Sequence, residues 1–240
     1  MINSKILVLH VKKGYEDRQK HIEKMMKSWG YSFEYILDGD MDDLNLEFVH
    51  QYFTGEMDCI SPATSVATKH LKAARYIVDH QLDGALILED DMLLYPNFEK
   101  VFNQCLSEIQ NRHLAKALIS FEDSSLYFVP GSQRKKGQHL YIAKRDRFAG
   151  ALYCTREAAE LILQHVRENR CDMPIDLYHT SLIQRAGLNY YWCHPCIATQ
   201  GSHTGLFASS INEKSAKKKT YRRLTWNLKL AYKKLLYYLR

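Results

Sequence analysis

The sequence of 240 residues lacks several features that would place it in a common class. It has no run of about 18 uncharged apolar residues, which argues against a membrane-spanning helix. The segment after the first apolar stretch, Val11–Gly14, has one glycine, so no glycine-rich phosphate-binding loop follows it. The pair Cys193 and Cys196 has no second Cys-x-x-Cys to complete a four-cysteine zinc site. These absences argue against a membrane-spanning protein, a P-loop enzyme and a zinc domain.

The start of the chain and its cysteines predict the compartment. Met1–Lys5 leads directly into the apolar run Ile6–Leu9, without the charged and then apolar segments of a signal peptide. The six cysteines lie mostly in apolar or helical stretches, which suits reduced thiols. We therefore expect a cytoplasmic protein, or one held peripherally on the cytoplasmic face of a membrane.

The charge of the chain is concentrated in its tail. Residues 214–240 contain ten of the 33 Lys and Arg residues and no acid, which leaves 23 basic against 27 acidic residues in 1–213. Apolar residues recur in the tail at helical spacing, at Leu224, Leu228, Ala231, Tyr232, Leu235 and Leu239. This pattern is typical of a cationic amphipathic helix on an anionic membrane. The alternatives are a terminal helix docked on the body and a nucleic-acid contact; we expect no nucleic-acid partner.

Strand and helix patterns alternate along residues 1–213, which predicts one α/β domain followed by the tail, residues 214–240. The predicted strands are Lys5–His10, Ser32–Ile36, Gly84–Leu88, Ala117–Phe121, Phe148–Tyr153 and Asn189–Cys193. The predicted helices are Arg18–Trp29, which Gly30 ends, one that begins with Ser61 as its cap, Asn97–Arg112, and two that begin at Thr155 and Pro174. The polar stretch Pro130–Gly137 is a candidate substrate-covering loop or a solvated hairpin tip.

Three consecutive acids end the most apolar predicted strand. Leu86–Leu88 runs directly into Glu89, Asp90 and Asp91. Adjacent carboxylates repel one another and resist burial, so at the end of a core strand they require a compensating cation, usually a metal. A solvated acidic turn is the alternative, although Met92–Tyr95 resumes apolar character at once. Because open α/β sheets bind ligands at the carboxyl ends of their strands, we predict a divalent cation that holds a phosphorylated substrate.

These segments together resemble glycosyltransferase family 25, the bacterial lipopolysaccharide-type sugar transferases related to the collagen galactosyltransferases. The resemblance covers nearly all of residues 4–203, and the acidic block with its upstream helix is its most specific part. Weaker matches are the first strand followed by Arg18, the turn Asp38–Gly39, the block Gly150–Tyr153 with Ala158–Leu161, and Pro174–Asp176. Where the family usually has Gly-Cys-x-x-Ser-His, this chain has Ser65–His70, with Lys69 in place of the serine. Donor contacts near this helix are therefore expected to differ.

The resemblance implies a GT-A-like fold, a single Rossmann-type domain with a mixed sheet flanked by helices. It also implies an inverting, metal-dependent transfer of a hexose, for which we expect galactose, from a UDP-sugar to a lipopolysaccharide, lipooligosaccharide or other surface-glycan acceptor. Mn²⁺ or Mg²⁺ would neutralise the charge that develops on the leaving diphosphate. With the basic tail, such an acceptor predicts a peripheral position on the cytoplasmic face of the inner membrane.

The resemblance and the strand positions assign the candidate site residues. The metal ligands are expected to be Asp91, Glu89 and His203, although His203 is equally explained as an ordinary loop histidine. Asp176 is the expected base, with Glu122 and Asp123 as alternatives, and it is equally explained as a helix-start acid. The donor-binding set is Val11, Lys12, Arg18, Asp38, His70, Glu89 and Asp90, with Asp90 pointing to the face opposite Asp91 if strand alternation persists.

Two other classes of function use the same features. A metal-dependent nucleotidyltransferase or phosphohydrolase would place the same acids around a cation. A non-catalytic membrane-associated binding module would use the tail for its function and the acids for a structural cation. Binding of UDP-sugars with and without Mn²⁺, in the wild type and in an Asp91 variant, discriminates the three.

Overall fold

The computed structural model of the chain describes residues 2–207 and 219–240. The strands are β1 Ser4–Leu9, β2 Glu34–Ile36, β3 Gly84–Glu89, β4 Met92–Leu94, β5 Ala117–Ser120, β6 Leu140–Ile142, β7 Ala151–Thr155, β8 Asn189–Cys193 and β9 Ala198–Gln200. The helices are α1 Glu16–Trp29, α2 Leu46–Tyr52, α3 Pro62–Asp79, α4 Phe98–Asn111, α5 Arg156–Asn169, α6 Ile175–Arg185, α7 Gly201–Thr204 and α8 Lys219–Tyr238.

Seven strands form one mixed sheet in the order β2-β1-β3-β7-β5-β8-β6. Strands β2, β1 and β3 are parallel, as are β5 and β8, whereas β7 is antiparallel to both of its neighbours, β3 and β5. Strand β4, which follows the acidic triplet, pairs with β9 in a second, two-stranded sheet. The predicted α/β domain with a mixed sheet flanked by helices is confirmed.

Alternation along the central strands builds a hydrophobic core on each face of the sheet. Leu7 of β1 and Ile87 of β3 belong to the core that α2, α3, α5 and α6 cover. Val8 and Leu88, their neighbours along the same strands, belong to the core that α1 and α4 cover. Because successive strand side chains point to opposite faces, an apolar run without polar interruption is what a strand covered on both faces requires.

The predicted capping residues begin and end the helices as expected. Gly30 ends α1 in the left-handed conformation, with φ of 69°. The side chains of Ser61 and Thr155 accept hydrogen bonds from the backbone N–H of Thr64 and Ala158, which opens α3 and α5. These caps fix where α3 and α5 enter the core.

The predicted secondary structure differs most from the observed one at the start of one strand, and it omits the short elements β4, β6, β9, α2 and α7. The strand predicted at Phe148–Tyr153 begins only at Ala151, because Phe148 adopts φ of 72° and its N–H bonds to the Asp146 side chain in a turn. Helix α2, inside the segment between the second strand and Ser61, was not predicted. It is short, with Val49 as its buried residue, and so carries too few apolar residues for a visible period.

The tail forms the helix α8, and this helix lies on the body. Trp226 of α8 is only 8% exposed, and the ring of Tyr237 contacts the ring of Phe128 with centroids 5.8 Å apart. Leucines on the opposite side of α8 remain exposed, with Leu224, Leu228 and Leu235 at 61%, 64% and 57%. The first part of the predicted tail, residues 214–218, lies outside the described residues. No helix in residues 2–207 or 219–240 is long and apolar enough to cross a bilayer.

Candidate active site

The three consecutive acids diverge where β3 ends. Asp90 is buried, and its two carboxylate oxygens contact His10 Nδ1 at 2.7 Å and the Arg18 guanidinium at 3.0 Å. These contacts tie the end of β3 to the end of β1 and to the start of α1. Asp90 and Asp91 lie in the turn after β3 and not in the strand, so strand alternation does not decide their directions, and Asp90 acts through these contacts as a support of the site.

Asp91 is buried and retains a carboxylate oxygen without a hydrogen-bond partner. Its Oδ2 accepts a hydrogen bond from the backbone N–H of Ser202 at 3.3 Å, and its carbonyl accepts one from Gly201 at 2.7 Å. Its Oδ1 has no hydrogen-bond partner. Burial, followed by the charge of Glu89, raises the pKa of Asp91 to about 6, although Arg18 opposes the shift. A cation beside Asp91 would relieve both effects.

Glu122 and Asp123 follow β5, and both are fully buried. Glu122 Oε1 accepts hydrogen bonds from the backbone N–H groups of Gly150 at 2.7 Å and Ala151 at 3.3 Å. Burial raises the pKa of Glu122 well above its ordinary value, and the charge of Glu89 adds to the shift. Asp123 Oδ2 accepts a hydrogen bond from the Tyr95 hydroxyl at 2.9 Å. Both carboxylates are thus held by neighbouring groups.

Asp176 lies in the first turn of α6 and faces the same acids. Its Oδ1 accepts a hydrogen bond from the backbone N–H of Leu177 at 2.9 Å, and the residue is only partly buried. Burial raises the pKa of Asp176, and the charges of Asp146 and Glu89 raise it further. The charge of Glu89 thus adds to the raised pKa of Asp91, Glu122 and Asp176, in each of which burial is the larger cause.

His70 lies beneath this site and not on its surface. It is buried on α3, and its Nε2 is 3.9 Å from Glu89 Oε1. The ring of His179 from α6 lies 6.0 Å away, edge to face. Burial, followed by repulsion from His70, lowers the pKa of His179 to about 3, so His179 is neutral near pH 7. Neither ring nitrogen of His70 has a hydrogen-bond partner, so the imidazole lies near Glu89 without a hydrogen bond to it, and its predicted donor contact stays a prediction.

The other donor-binding candidates gather at the carboxyl ends of β1 and β2. Lys12 Nζ lies 2.8 Å from Asp43 and 3.5 Å from Asp38, so it bridges the loops that follow the two strands. Val11 is half-buried beside it. Arg18 contacts Asp90 from the start of α1. These residues and the acidic site share one edge of the sheet, at which α/β folds bind nucleotides.

Comparison with protein-family models decides the family. The model described as glycosyltransferase family 25 (LPS biosynthesis protein) matches residues 3–178. The chain belongs to glycosyltransferase family 25. The family-25 assignment makes the protein a glycosyltransferase and confirms the resemblance found in the sequence. No curated protein matches this family-25 chain.

Solved structures give distant likenesses to this family-25 transferase. One is "crystal structure of a glycosyltransferase involved in the glycosylation of the major capsid of PBCV-1", with 10% identity, a TM-score of 0.44, and coverage of 92% of this chain and 98% of that one. Another is the inositol-1-phosphate CTP transferase from T. maritima, with 11% identity, a TM-score of 0.35, and coverage of 93% and 76%. Likenesses of this strength carry no information about substrates.

The acidic site of the family-25 transferase is partly suited to a metal. In residues 2–207 and 219–240, no three His, Cys, Asp or Glu side chains converge closely enough to hold one. The side chain of His203, the third predicted ligand, lies outside the described part of the structure. Asp91 offers an unpartnered buried oxygen, and Glu89 supplies the neighbouring charge. These two acids fit a cation whose remaining ligands come from a substrate.

Sequence reasoning missed the function of Lys69, which the family-25 pattern marked only as a departure. Its buried ammonium donates hydrogen bonds to the carbonyls of His10 at 2.8 Å and Leu37 at 2.6 Å, and lies 2.8 Å from Asp40 Oδ1. Asp40 Oδ2 also accepts a hydrogen bond from the backbone N–H of Lys12. Lys69 thus fastens the loops after β1 and β2 to α3. The available signal was a lysine on the apolar face of a helix.

Replacing Lys69 by Met should lower the free energy of unfolding by about 3–5 kcal/mol, because it leaves the Asp40 carboxylate without its buried counter-charge. Urea unfolding measures the loss. Lys72→Met, an exposed lysine on the same helix, is the control and should change stability by at most about 0.5 kcal/mol. The double variant Lys69→Met with Asp40→Asn should recover part of the loss. Equal losses of stability in Lys69→Met and Lys72→Met would contradict a stabilising buried pair of Lys69 and Asp40.

Replacing Asp91 by Asn should stabilise the metal-free protein at pH 8. The pKa of Asp91 is raised from 3.8 to about 6 on folding, so the wild type loses stability as the pH rises from about 4 to 6 and does not regain it above. Because Asn carries no charge, Asp91→Asn should have a larger free energy of unfolding than the wild type, by on the order of 2 kcal/mol at pH 8. This difference should shrink towards pH 4.5.

The measurement is urea unfolding in EDTA across that pH range. Glu160→Gln, an exposed acid of α5, serves as the control and should show no such pH-dependent difference from the wild type. If the Asp91→Asn protein is less stable than the wild type at pH 8, the ionised Asp91 carboxylate does not destabilise the fold.

Proposed function

We propose that this transferase moves a hexose from a UDP-sugar to a lipid-linked bacterial glycan, with inversion at the anomeric carbon and with Mn²⁺ or Mg²⁺. Family membership gives glycosyl transfer, and the family description names lipopolysaccharide biosynthesis. The observation that carries the donor and cation is the group of acids around Glu89, in which the pKa values of Asp91, Glu122 and Asp176 are all raised. Such a group gains free energy when a cation joins it.

The proposed donor lies across the carboxyl ends of β1, β2 and β3. Its nucleoside would contact Val11, Lys12 and Asp38, on loops that Lys69 and Asp40 hold in place. The Lys12 side chain is 37% exposed, so its ammonium remains accessible to an oxygen of the donor. Arg18, with Asp90 behind it, would limit the pocket on the side of α1. The diphosphate would then reach Asp91.

Asp91 and Glu89 are the proposed ligands of the cation, and His203 stays a predicted third ligand. When bound, a divalent cation acts as a Lewis acid and stabilises the negative charge of the leaving nucleoside diphosphate. Residues of the protein hold and orient the acids of the site. Arg18 and His10 hold Asp90, and the backbone N–H of Ser202 orients Asp91.

Asp176 is the acid best suited to accept the proton of the acceptor hydroxyl. It is partly exposed, whereas Glu122 and Asp123 are fully buried and are held by backbone and tyrosine donors. Its pKa is raised by burial and by Asp146 and Glu89, which makes it a stronger base than an ordinary aspartate. This supports Asp176 over the two alternatives.

The test of the donor and cation is a titration of UDP-galactose, UDP-glucose and UDP-N-acetylglucosamine with and without Mn²⁺. The wild type should bind at least one of them about tenfold more tightly with Mn²⁺, and Asp91→Asn should lose that gain, because its side chain no longer carries charge. Glu160→Gln is the matched control. Mass analysis of products from a truncated lipooligosaccharide then identifies the transferred sugar, for which we propose galactose.

Equal binding with and without Mn²⁺ would contradict the cation site. Release of diphosphate, or cleavage of the donor without sugar transfer to any acceptor, would favour the nucleotidyltransferase or phosphohydrolase alternative. Binding without either reaction would favour a binding module.

The acceptor side of the proposal includes an anionic membrane, at the cytoplasmic face of the inner membrane. Helix α8 lies on the body with Trp226 and Tyr237, and this leaves the opposite face with a row of exposed apolar side chains. These are Leu224, Leu228, Tyr232, Leu235 and Leu239. Ten basic residues and no acid in residues 214–240 provide attraction to anionic lipid. We name the exposed row the leucine face.

Replacing Leu224, Leu228 and Leu235 together by Ser should reduce binding to phosphatidylglycerol-containing vesicles by at least about tenfold, because the leucine face supplies the apolar area that enters the lipid interface. Vesicle flotation measures it. Ile142→Ser, at a residue of β6 that is 75% exposed, controls for the loss of an exposed apolar side chain elsewhere. If the triple variant floats like the wild type, α8 does not bind membranes through this face.

A further inference from the structure

Helix α8 contributes a charge to the interior of the site. The Lys234 ammonium lies 3.5 Å from Asp123 Oδ2, and Asp123 is fully buried whereas the lysine side chain is about half exposed. The same ammonium lies 5.7 Å from the centre of the Tyr95 ring and 5.8 Å from that of Phe128. A carboxylate next to the candidate base Glu122 is therefore compensated by a residue of the tail, for which the sequence predicted a membrane contact with docking on the body as an alternative.

The same end of α8 also holds the loop that follows Asp123. The Tyr237 ring packs edge to face on Phe128, the Arg134 guanidinium lies over the Tyr238 ring at 5.7 Å, and Ser132 Oγ donates a hydrogen bond to the carbonyl of Arg240 at 2.5 Å. The sequence offered Pro130–Gly137 as a substrate-covering loop or a solvated hairpin tip. The structure attaches the first part of that stretch to the tail helix.

These contacts lie on the side of the acidic site away from the donor loops. The backbone N–H of Asp123 bonds to the carbonyl of Ala198 in β9, and β9 pairs with β4, the strand directly after Asp91. The donor candidates Lys12 and Asp38 lie beyond β3, at the ends of β1 and β2. A donor on that side would leave the side of Asp123 and α8 for the acceptor.

We propose that residues 126–134 and 233–240 form the wall of the acceptor-binding part of the cleft, here named the acceptor wall, and that Lys234 is its positioning residue. This rests on the proposed function. Lys234 keeps Asp123 compensated, and the aromatic contacts of Tyr237 and Tyr238 hold the loop on the helix. Because the leucine face lies on the other side of α8, the glycan of a lipid in the same membrane would approach the cleft along this wall.

Hydrogen exchange of residues 126–134 tests the wall without any substrate. Lys234→Met should raise amide exchange in this loop by about tenfold, because a charge-assisted contact to a buried carboxylate is lost. Lys234→Arg should retain most of the protection. Lys229→Met removes an exposed charge of the same helix and should leave exchange unchanged. Tyr237→Ala should also raise exchange in residues 126–134, while it leaves the contact between Lys234 and Asp123 in place. This variant tests the wall independently if the Lys234→Met protein folds poorly.

Kinetics with UDP-galactose and a truncated lipooligosaccharide in phosphatidylglycerol-containing vesicles test the role in transfer. Lys234→Met should lower kcat/KM for the acceptor by about tenfold and leave the KM for the donor unchanged. Lys229→Met loses the same charge towards the membrane, so only a loss in Lys234→Met that exceeds the loss in Lys229→Met supports the acceptor wall. Unchanged exchange and unchanged acceptor kinetics in Lys234→Met would overturn the acceptor wall. Absence of UDP-sugar binding in the wild type would instead overturn the proposed function.

Discussion

Repulsion between buried carboxylates is the constraint on which the arrangement of this enzyme depends. The carboxyl edge of the sheet collects acids from β3, β5 and α6, and each needs compensation in a medium that screens charge poorly. The fold supplies most of it. Arg18 and His10 compensate Asp90, and two backbone N–H groups hold Glu122. Among the described residues, Asp91, Glu122 and Asp123 each keep one carboxylate oxygen without a hydrogen-bond partner, and we propose the cation and diphosphate at Asp91, beside Glu89.

The compensating groups also connect the fold. Arg18 lies on α1, Lys69 on α3 and Lys234 on α8, and each pairs with an acid that follows a strand of the central sheet. Removing one such partner leaves a buried charge alone, which is more costly than losing an exposed ion pair. The site is therefore assembled only when helices from both ends of the described chain are in place.

Local signals made much of this architecture predictable. Gly30, Ser61 and Thr155 ended or opened their helices as the sequence indicated, and the apolar run before Glu89 was a central strand. Pairings between distant residues were not predictable, because no short-range pattern connects Lys69 with Asp40 or Lys234 with Asp123. The predicted start of β7 was wrong for a related reason. Phe148 reads as a strand residue, but the side chain of Asp146 bonds to its N–H and turns the chain.

The tail shows why one pattern supported two alternatives. Its aromatic residues suggested a membrane interface, and its basic residues an anionic surface, whereas docking on the body seemed a competing arrangement. In the structure Trp226 and Tyr237 turn to the body, and Leu224 and Leu228 turn outward on the face for which we propose the membrane contact. The two contacts therefore do not exclude each other. A helix divided in this way can rest on a membrane while Lys234 stays on Asp123, so attachment to lipid does not require the cleft to open.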